Sequence, residues 1–197
     1  MEEKKKKLRQ KALSQRKLLP IGIKREKSKK IVDSIINSDE YKTNNVFFAY
    51  AALEDEVNID EFIIQALADN KKVFLPRVKK DSMNFYQIES LSDLENGSFN
   101  VREPKTYCNK FEENLYNKFY ESEKDSDINK TEQIVVYTPG VAFTFKGERM
   151  GYGKGYYDRF FAKYPKLLKI GVAFKEQLYE TTYSQKYDVF LDKVIFE

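Results

Sequence analysis

The chain has 197 residues, of which 41% are hydrophobic, enough for one domain with a sizeable core. It has no histidine and a single cysteine, Cys108, which excludes catalysis through histidine, histidine-bearing zinc sites and internal disulfides. The amino-terminal sequence lacks the apolar segment of a secretory signal, and no apolar run approaches the roughly 18 residues of a membrane helix, so we expect a cytoplasmic chain.

The net charge of +4 is unevenly distributed along the chain. Residues 1–30 contain 13 Lys/Arg and 3 Asp/Glu, whereas the remaining residues contain 22 and 28. A basic amino-terminal segment on a mildly acidic body is suited to RNA, to an anionic membrane surface or to a polyphosphate ligand. A lysine-rich helix face in solvent explains the same charges, so charge alone leaves these alternatives open.

The first 76 residues predict two helices followed by a β-α-β unit. Apolar spacing, apolar runs and turn residues predict helices over about 3–18, 24–37 and 58–70 and strands over 46–52 and 72–76. A capping-box pattern at 58–61 begins the third helix, and Pro76 is expected to end the second strand. A strand, a helix and a strand at this spacing are typical of a parallel sheet.

The rest of the chain continues this alternation after a polar interruption. It predicts a helix over 154–164 and strands over 83–88, 133–137, 167–174 and 192–196, the first of them at a sheet edge. Residues 105–132 are rich in Lys, Glu, Asn and Asp, and we expect a surface insertion or a mobile loop there. The prediction is a single α/β domain over residues 1–197, with a doubly wound, mostly parallel sheet and helices on both faces.

Five of the eight glycines lie between 140 and 155, where a predicted strand precedes a helix. Glycines let backbone N–H groups approach an anion, the helix N-terminus adds its dipole, and Arg149 and Lys154 add charge. The segment therefore has the composition of a phosphate-binding loop. It is not a Walker A loop, because Gly155 stands where a hydroxyl would bind magnesium, nor is it a dinucleotide fingerprint. A glycine-rich turn with surface tyrosines is the alternative.

Three aspartates are candidate metal ligands. Asp158 follows the glycines by one helical turn and is well placed to hold Mg²⁺ against phosphates, although an aspartate there also complements the helix dipole. Asp188 and Asp192 are four residues apart near the carboxyl terminus. Either is a candidate second carboxylate, or they are simply a turn residue and a strand-start residue.

Two segments carry a specific pattern: P-G-V-A-F at 139–143 and G-E-R-M-G-Y-G-K-G-Y-Y-D-R at 147–159. Together they resemble the 5-formyltetrahydrofolate cyclo-ligase family. Further segments match the family in order: K-K-K-L-R at 5–9 with Arg16, D-E-V at 55–57, P-R at 76–77, 97–104, 173–177 and 188–194. The family commonly has Asp where Thr144 stands and often His where Tyr187 stands, and residues 105–132 match it poorly.

The resemblance implies an ATP- and Mg²⁺-dependent ligase (EC 6.3.3.2). It would cyclise 5-formyltetrahydrofolate to 5,10-methenyltetrahydrofolate, releasing ADP and phosphate, through a phosphorylated formyl group (an iminium phosphate). Carried over by position, Arg149 and Lys154 are implied to be catalytic, and Asp158 and Asp192 to bind magnesium, with Asp188 matching the same motif.

The resemblance also implies the binding residues. ATP is expected to contact Lys5, Arg9, Arg149, Met150, Gly151, Tyr152, Gly153, Lys154, Gly155, Tyr156 and Tyr157. The folate is expected to contact Ala51, Glu56, Tyr152 and Tyr156. The alternatives to this function are a nucleic-acid-binding module that uses the basic helix and another ATP-dependent small-molecule enzyme. Under the cyclo-ligase reading we expect a monomer that binds neither nucleic acid nor membranes.

Overall fold

Helices and strands alternate along the chain in the computed structural model, which describes residues 1–80, 82–97, 101–121 and 132–197. The helices are α1 Glu2–Leu18, α2 Ile21–Asn37, α3 Asp39–Thr43, α4 Asp60–Ala68, α5 Glu113–Glu121 and α6 Tyr156–Lys163. The strands are β1 Val46–Phe48, β2 Lys72–Lys79, β3 Ser82–Ile88, β4 Leu94–Asn96, β5 Arg102–Pro104, β6 Ile134–Thr138, β7 Ala142–Phe143, β8 Arg149–Met150, β9 Leu168–Ala173 and β10 Lys193–Phe196. Within those ranges, we find no helix with the length and apolar character that crossing a bilayer requires.

Six of the strands form one sheet in the order β10-β9-β6-β1-β2-β3. Neighbouring strands run parallel throughout, except that β2 and β3 form an antiparallel hairpin at one edge. The α/β fold with a mostly parallel sheet is therefore confirmed, and β3 is the edge strand that the sequence predicts. Two short antiparallel pairs, β4–β5 and β7–β8, lie outside this sheet.

Apolar clusters cover both faces of the sheet. Successive strand residues alternate between the faces, so Phe47 of β1 lies in one cluster and Phe48 in the other. Helices α2 and α4 cover the first face, and α5 and α6 cover the second. Helix α1 packs through Ala12 on the β7–β8 pair. This docking brings the basic helix beside the glycine-rich segment.

Strand β2 continues past Pro76, so the prediction that Pro76 ends the strand is wrong. On the β1 side of β2, the last backbone contact is the Ala49 N–H, which donates to the Phe74 carbonyl at 2.8 Å. The N–H groups of a strand point alternately to its two sides. The position of the missing Pro76 N–H is therefore on the β1 side, beyond the point where β1 ends, so no bond between strands is lost there. Two residues further on, the Val78 N–H donates to the Glu103 carboxylate at 3.2 Å.

Part of the segment 105–132, predicted to be a surface insertion or a mobile loop, packs into the structure as α5. Tyr116 and Tyr120 are buried in the second apolar cluster. The Lys166 N–H donates to the Tyr116 hydroxyl, and the Tyr120 hydroxyl donates to the Lys166 carbonyl, each at 3.0 Å. The prediction is corrected for α5, because its tyrosines supply apolar rings that the polar composition concealed. Residues 122–131 lie outside the described residues.

Candidate active site

A cavity of about 730 Å³ opens at the carboxyl ends of β1, β2 and β6. This is where ligands of doubly wound sheets bind. Its walls come from α1, the connection after β1, β2 and the glycine-rich segment that leads into α6. The residues that the family resemblance assigns to ATP, folate or magnesium all line this cavity, apart from Asp192.

The glycine-rich loop forms one wall between β8 and α6. Gly153 and Gly155 adopt φ values of 100° and 64°, a left-handed conformation that other residues rarely adopt. The Gly151 carbonyl accepts a hydrogen bond from Arg9 Nε at 3.0 Å, which ties the loop to α1. Helix α6 begins directly after Gly155, so its N-terminal N–H groups and dipole lie at this wall.

Arg149 places a buried cation at the cavity. Its Nη2 donates to Asp158 Oδ2 at 3.1 Å, and its guanidinium lies 5.1 Å from the centre of the Tyr157 ring. Burial raises the pKa of the Tyr157 hydroxyl well above its usual value, so Tyr157 stays neutral. The other carboxylate oxygen of Asp158 accepts from the Val189 N–H at 3.2 Å. Within the described chain, the buried Arg149 Nε has no partner.

Helix α1 brings further cations to the mouth of the cavity. Lys5 forms an ion pair with Asp188, and Arg9 contacts the glycine-rich loop. Lys154 faces the cavity from the loop itself. The basic amino-terminal helix therefore has a defined place in the fold, beside the glycine-rich loop and along the cavity.

A second polar network, formed by the buried side chains of Arg16 and Glu56 with the Tyr152 hydroxyl, lies beside the cavity. Tyr152 donates its hydroxyl hydrogen to Glu56 Oε1 at 3.0 Å and accepts from Arg16 Nη2 at 2.6 Å. Burial raises the pKa of the Glu56 carboxyl above its usual value, and the nearby Arg16 cation opposes this rise. Burial and the neighbouring Glu56 charge raise the pKa of Tyr152 to about 12. Ala51 also lines the cavity, and the Tyr156 hydroxyl donates to the Lys80 carbonyl at 3.0 Å.

Arg16 is the member of this network to which the sequence interpretation gives no site role. The sequence does carry a signal for it. Lys5, Arg9, Ala12 and Arg16 are spaced by four, three and four residues, which places them on one face of a helix. A helix face that combines three cations with a small residue is suited to close contact with an anion site.

Asp192 lies away from the cavity. Its Oδ2 accepts from the Lys169 N–H at 2.7 Å and lies 3.0 Å from Lys169 Nζ. Asp192 precedes β10, which is parallel to its neighbour, so it lies at the amino ends of the strands, opposite the cavity. Asp188 lines the cavity in its place. In the described ranges, no group of three Asp, Glu, Cys or His side chains is arranged to hold a metal ion without a ligand's help.

Comparison with known proteins decides the family. The model of the 5-formyltetrahydrofolate cyclo-ligase family matches residues 1–197. The chain belongs to this family. The resemblance seen in its motifs is thereby confirmed, and the activity of a cyclo-ligase (EC 6.3.3.2), a ligase of folate-dependent one-carbon metabolism, follows from membership. Family membership also implies that 5-formyltetrahydrofolate and ATP are its substrates.

Individual cyclo-ligases are similar over most of their length. A Caenorhabditis elegans protein named as a probable 5-formyltetrahydrofolate cyclo-ligase is 30% identical over 179 residues, which cover 85% of this chain and 80% of that protein. The structure of the Aquifex aeolicus 5,10-methenyltetrahydrofolate synthetase superposes with a TM-score of 0.77 at 28% identity, covering 98% of this chain and 89% of that one. The Mycoplasma pneumoniae synthetase gives a TM-score of 0.71 at 25% identity, covering 97% of both chains.

Proposed function

We propose that this cyclo-ligase binds Mg·ATP along the glycine-rich loop and 5-formyltetrahydrofolate beside Glu56, and that it phosphorylates the formyl oxygen before ring closure. One observation carries the proposal. The same cavity is lined by several cations, among them Arg149, Lys154 and Lys5 and Arg9 of α1, and by the buried carboxylate of Glu56. A polyanion and a ligand rich in N–H donors therefore find complementary groups in one space.

The chemistry explains why ATP is needed. The oxygen of the formyl group that N5 carries is a poor leaving group. Transfer of the γ-phosphoryl group forms a bond from that oxygen to phosphorus and breaks the bond to ADP, which leaves an iminium phosphate. N10 then forms a bond to the formyl carbon, loses its proton, and phosphate departs with the oxygen. Phosphoryl transfer depends on positioning and charge stabilisation, so a site without histidine suits it.

In this proposal, the cationic side chains that line the cavity have separate roles. Arg149 is held by Asp158 and by the face of Tyr157, so it is oriented before the nucleotide binds. Arg149 and Lys154 are the catalytic residues that stabilise the charge of the transferred phosphoryl group. Lys5 and Arg9 bind the nucleotide phosphates from α1. The loop residues 150–157 surround the nucleotide with backbone N–H groups and tyrosine rings.

The donor chemistry of the cavity fits magnesium. Mg²⁺ takes oxygen ligands, commonly one or two carboxylates together with phosphate oxygens. Asp158 and Asp188 supply carboxylates at the cavity, each with a cation, Arg149 or Lys5, beside it. We propose these two as the magnesium ligands, with Asp188 replacing the Asp192 of the motif-based assignment. The bound ion would neutralise phosphate charge.

The folate end is proposed to select the pterin ring. Glu56 presents an acceptor pair to the N–H donors at the ring edge, and Ala51 leaves room for the ring. A buried carboxylate discriminates strongly against rings that lack these donors, because the acceptor positions that Tyr152 and the Leu53 N–H leave open on its oxygens would then stay unfilled. Tyr152 and Tyr156 lie where nucleotide and folate meet and are proposed to contact both.

The test is a spectrophotometric cyclisation assay with the purified chain. We expect absorbance of the methenyl product to rise when ATP, Mg²⁺ and 5-formyltetrahydrofolate are all present and to stay flat when any one is omitted. Turnover without ATP would contradict the phosphorylation step.

We also propose that the chain acts as a cytoplasmic monomer, since one chain supplies both ends of the cavity and its one thiol is unpaired. Light scattering at assay concentration tests the monomer.

A further inference from the structure

Three side chains from distant parts of the sequence converge behind the folate end of the cavity. Arg16 comes from α1, Glu56 from the connection after β1, and Tyr152 from the glycine-rich loop. Arg16 Nη1 lies 3.7 Å from Glu56 Oε1, and the Tyr152 hydroxyl bridges Arg16 Nη2 and that same oxygen. The Arg16 and Glu56 side chains are 4% and 6% exposed, so the pair is shielded from water.

Arg16 is fixed from behind by the backbone. Its Nη1 donates to the Gly140 carbonyl at 3.2 Å, and Gln177 Nε2 donates to the same carbonyl at 2.8 Å. Among the described residues, Arg16 does not line the cavity, whereas Glu56 and Tyr152 do. The side-chain contacts through which Arg16 reaches the cavity are therefore those with Glu56 and Tyr152.

The surroundings of Glu56 make Arg16 electrostatically important. Titratable groups around Glu56 include Arg16 of α1, Asp55 of its own loop, which pairs with Lys24 of α2, Tyr50 after β1, Tyr152 of the glycine-rich loop and Tyr157 of α6. Burial raises the pKa of Glu56, and the neighbouring Asp55 adds to that rise. The Arg16 charge acts most strongly in the opposite direction, followed by the Leu53 N–H and the Tyr152 hydroxyl. The tyrosines contribute no charge near neutral pH, since burial raises the pKa of each.

We infer that Arg16 is a positioning residue for folate, which keeps Glu56 an ionised double acceptor and orients Tyr152 against it. The inference rests on the proposed role of Glu56 in binding the pterin. A protonated Glu56 would present a hydroxyl donor to one of the N–H donors of the pterin ring. That hydrogen bond would be lost, and the O–H and N–H donors would oppose each other. Without Arg16, binding of folate should therefore weaken as the pH falls, whereas nucleotide binding should not.

The experiment compares Arg16→Gln, Arg16→Lys and the matched control Arg25→Gln, which makes the same change at an exposed position of α2. The Glu56 carboxyl is followed by ¹³C NMR in the ligand-free protein, and its signal is assigned by its loss in Glu56→Gln. We expect Arg16→Gln to raise the pH at which Glu56 titrates. Its KM for 5-formyltetrahydrofolate should rise about tenfold at pH 6 and recover towards the unmodified value at pH 8.5, with KM for ATP changed less than about twofold.

Arg16→Lys retains a cation but loses the planar guanidinium, which can donate two parallel hydrogen bonds. Compared with Arg16→Gln, we expect it to restore most of the pH profile and only part of the affinity for 5-formyltetrahydrofolate. Arg25→Gln should match the unmodified chain in every measurement. If Arg16→Gln does not fold, as judged by circular dichroism, Tyr152→Phe replaces it. This variant removes the hydroxyl that donates to Glu56, so the pH at which Glu56 titrates should rise, a change that loss of a direct folate contact would not cause.

Two outcomes overturn the inference. One is a Glu56 titration in Arg16→Gln that coincides with that of the unmodified protein. The other is a KM for folate that is raised equally at all pH values, which would indicate a merely structural role. Failure of the proposed function has a different signature: the unmodified chain would show no ATP-dependent cyclisation, while the NMR titration of Glu56 would remain measurable.

Discussion

The two parts of the cavity that we propose for the nucleotide and for folate are built in contrasting ways. The proposed nucleotide end is formed largely by one continuous segment, the glycine-rich loop, with Arg149 and Asp158 only nine residues apart. The folate end joins α1, the connection after β1 and the loop, and the Glu56–Tyr152 contact spans 96 residues. Local backbone conformation therefore shapes the first end, whereas the second exists only when the helix, the sheet and the loop have docked.

The nucleotide end should show the largest effect on the chemical step. Arg149→Ala is expected to lower kcat by roughly 10²–10³-fold, because a preorganised cation at the transferred phosphoryl group is removed. Steady-state kinetics at saturating substrates measures the change, and Arg149→Lys, which retains charge without the fork, should lose less. If kcat of Arg149→Ala stayed within twofold, the stabilising charge would have to come from elsewhere.

The folate end should affect affinity rather than the chemical step. Glu56→Gln keeps the shape of the side chain but replaces one acceptor with a donor. We expect KM for 5-formyltetrahydrofolate to rise roughly ten- to a hundredfold, with KM for ATP nearly unchanged. Equal increases in both KM values would mean that the two ends are not separate, and would break the comparison.

The aspartates near the carboxyl terminus provide a matched pair. Asp188→Asn is expected to raise the Mg²⁺ concentration for half-maximal rate about tenfold, since a cavity carboxylate loses its charge. Asp192→Asn removes the partner of Lys169 at the other end of the strands and should leave the magnesium requirement unchanged. The reverse pattern in a magnesium titration would return the metal to Asp192.

Stability should respond most weakly, and only at the folate end. Burial raises the pKa of Glu56 above 4.5, so the folded state favours its protonated form. Stability contributed by this group is present at low pH and is lost as the pH rises from about 4.5 through the pKa of the folded state. Relative to Glu56→Gln, the unmodified chain should therefore lose melting temperature as the pH rises. If the unmodified chain instead gained melting temperature relative to Glu56→Gln as the pH rises above about 4.5, this sign would be contradicted.

Contiguous patterns were sufficient for much of this protein. Apolar runs and helical spacing predicted the parallel sheet and the helices on both of its faces, since side-chain periodicity follows directly from backbone geometry. The glycines at 147–159 predicted a loop that leads into a helix, and its conformation is set by neighbouring residues, as the positive φ values of Gly153 and Gly155 show; phosphate binding there stays a prediction. Tertiary structure decided the rest. Polar composition concealed the packing of α5, and the direction of β10 placed Asp192 far from the cavity while Asp188 lines it. Helical spacing places Arg16 on one face with Lys5 and Arg9, but its role depends on Glu56 and Tyr152, which are 40 and 136 residues away along the chain, and no local pattern predicts those partners.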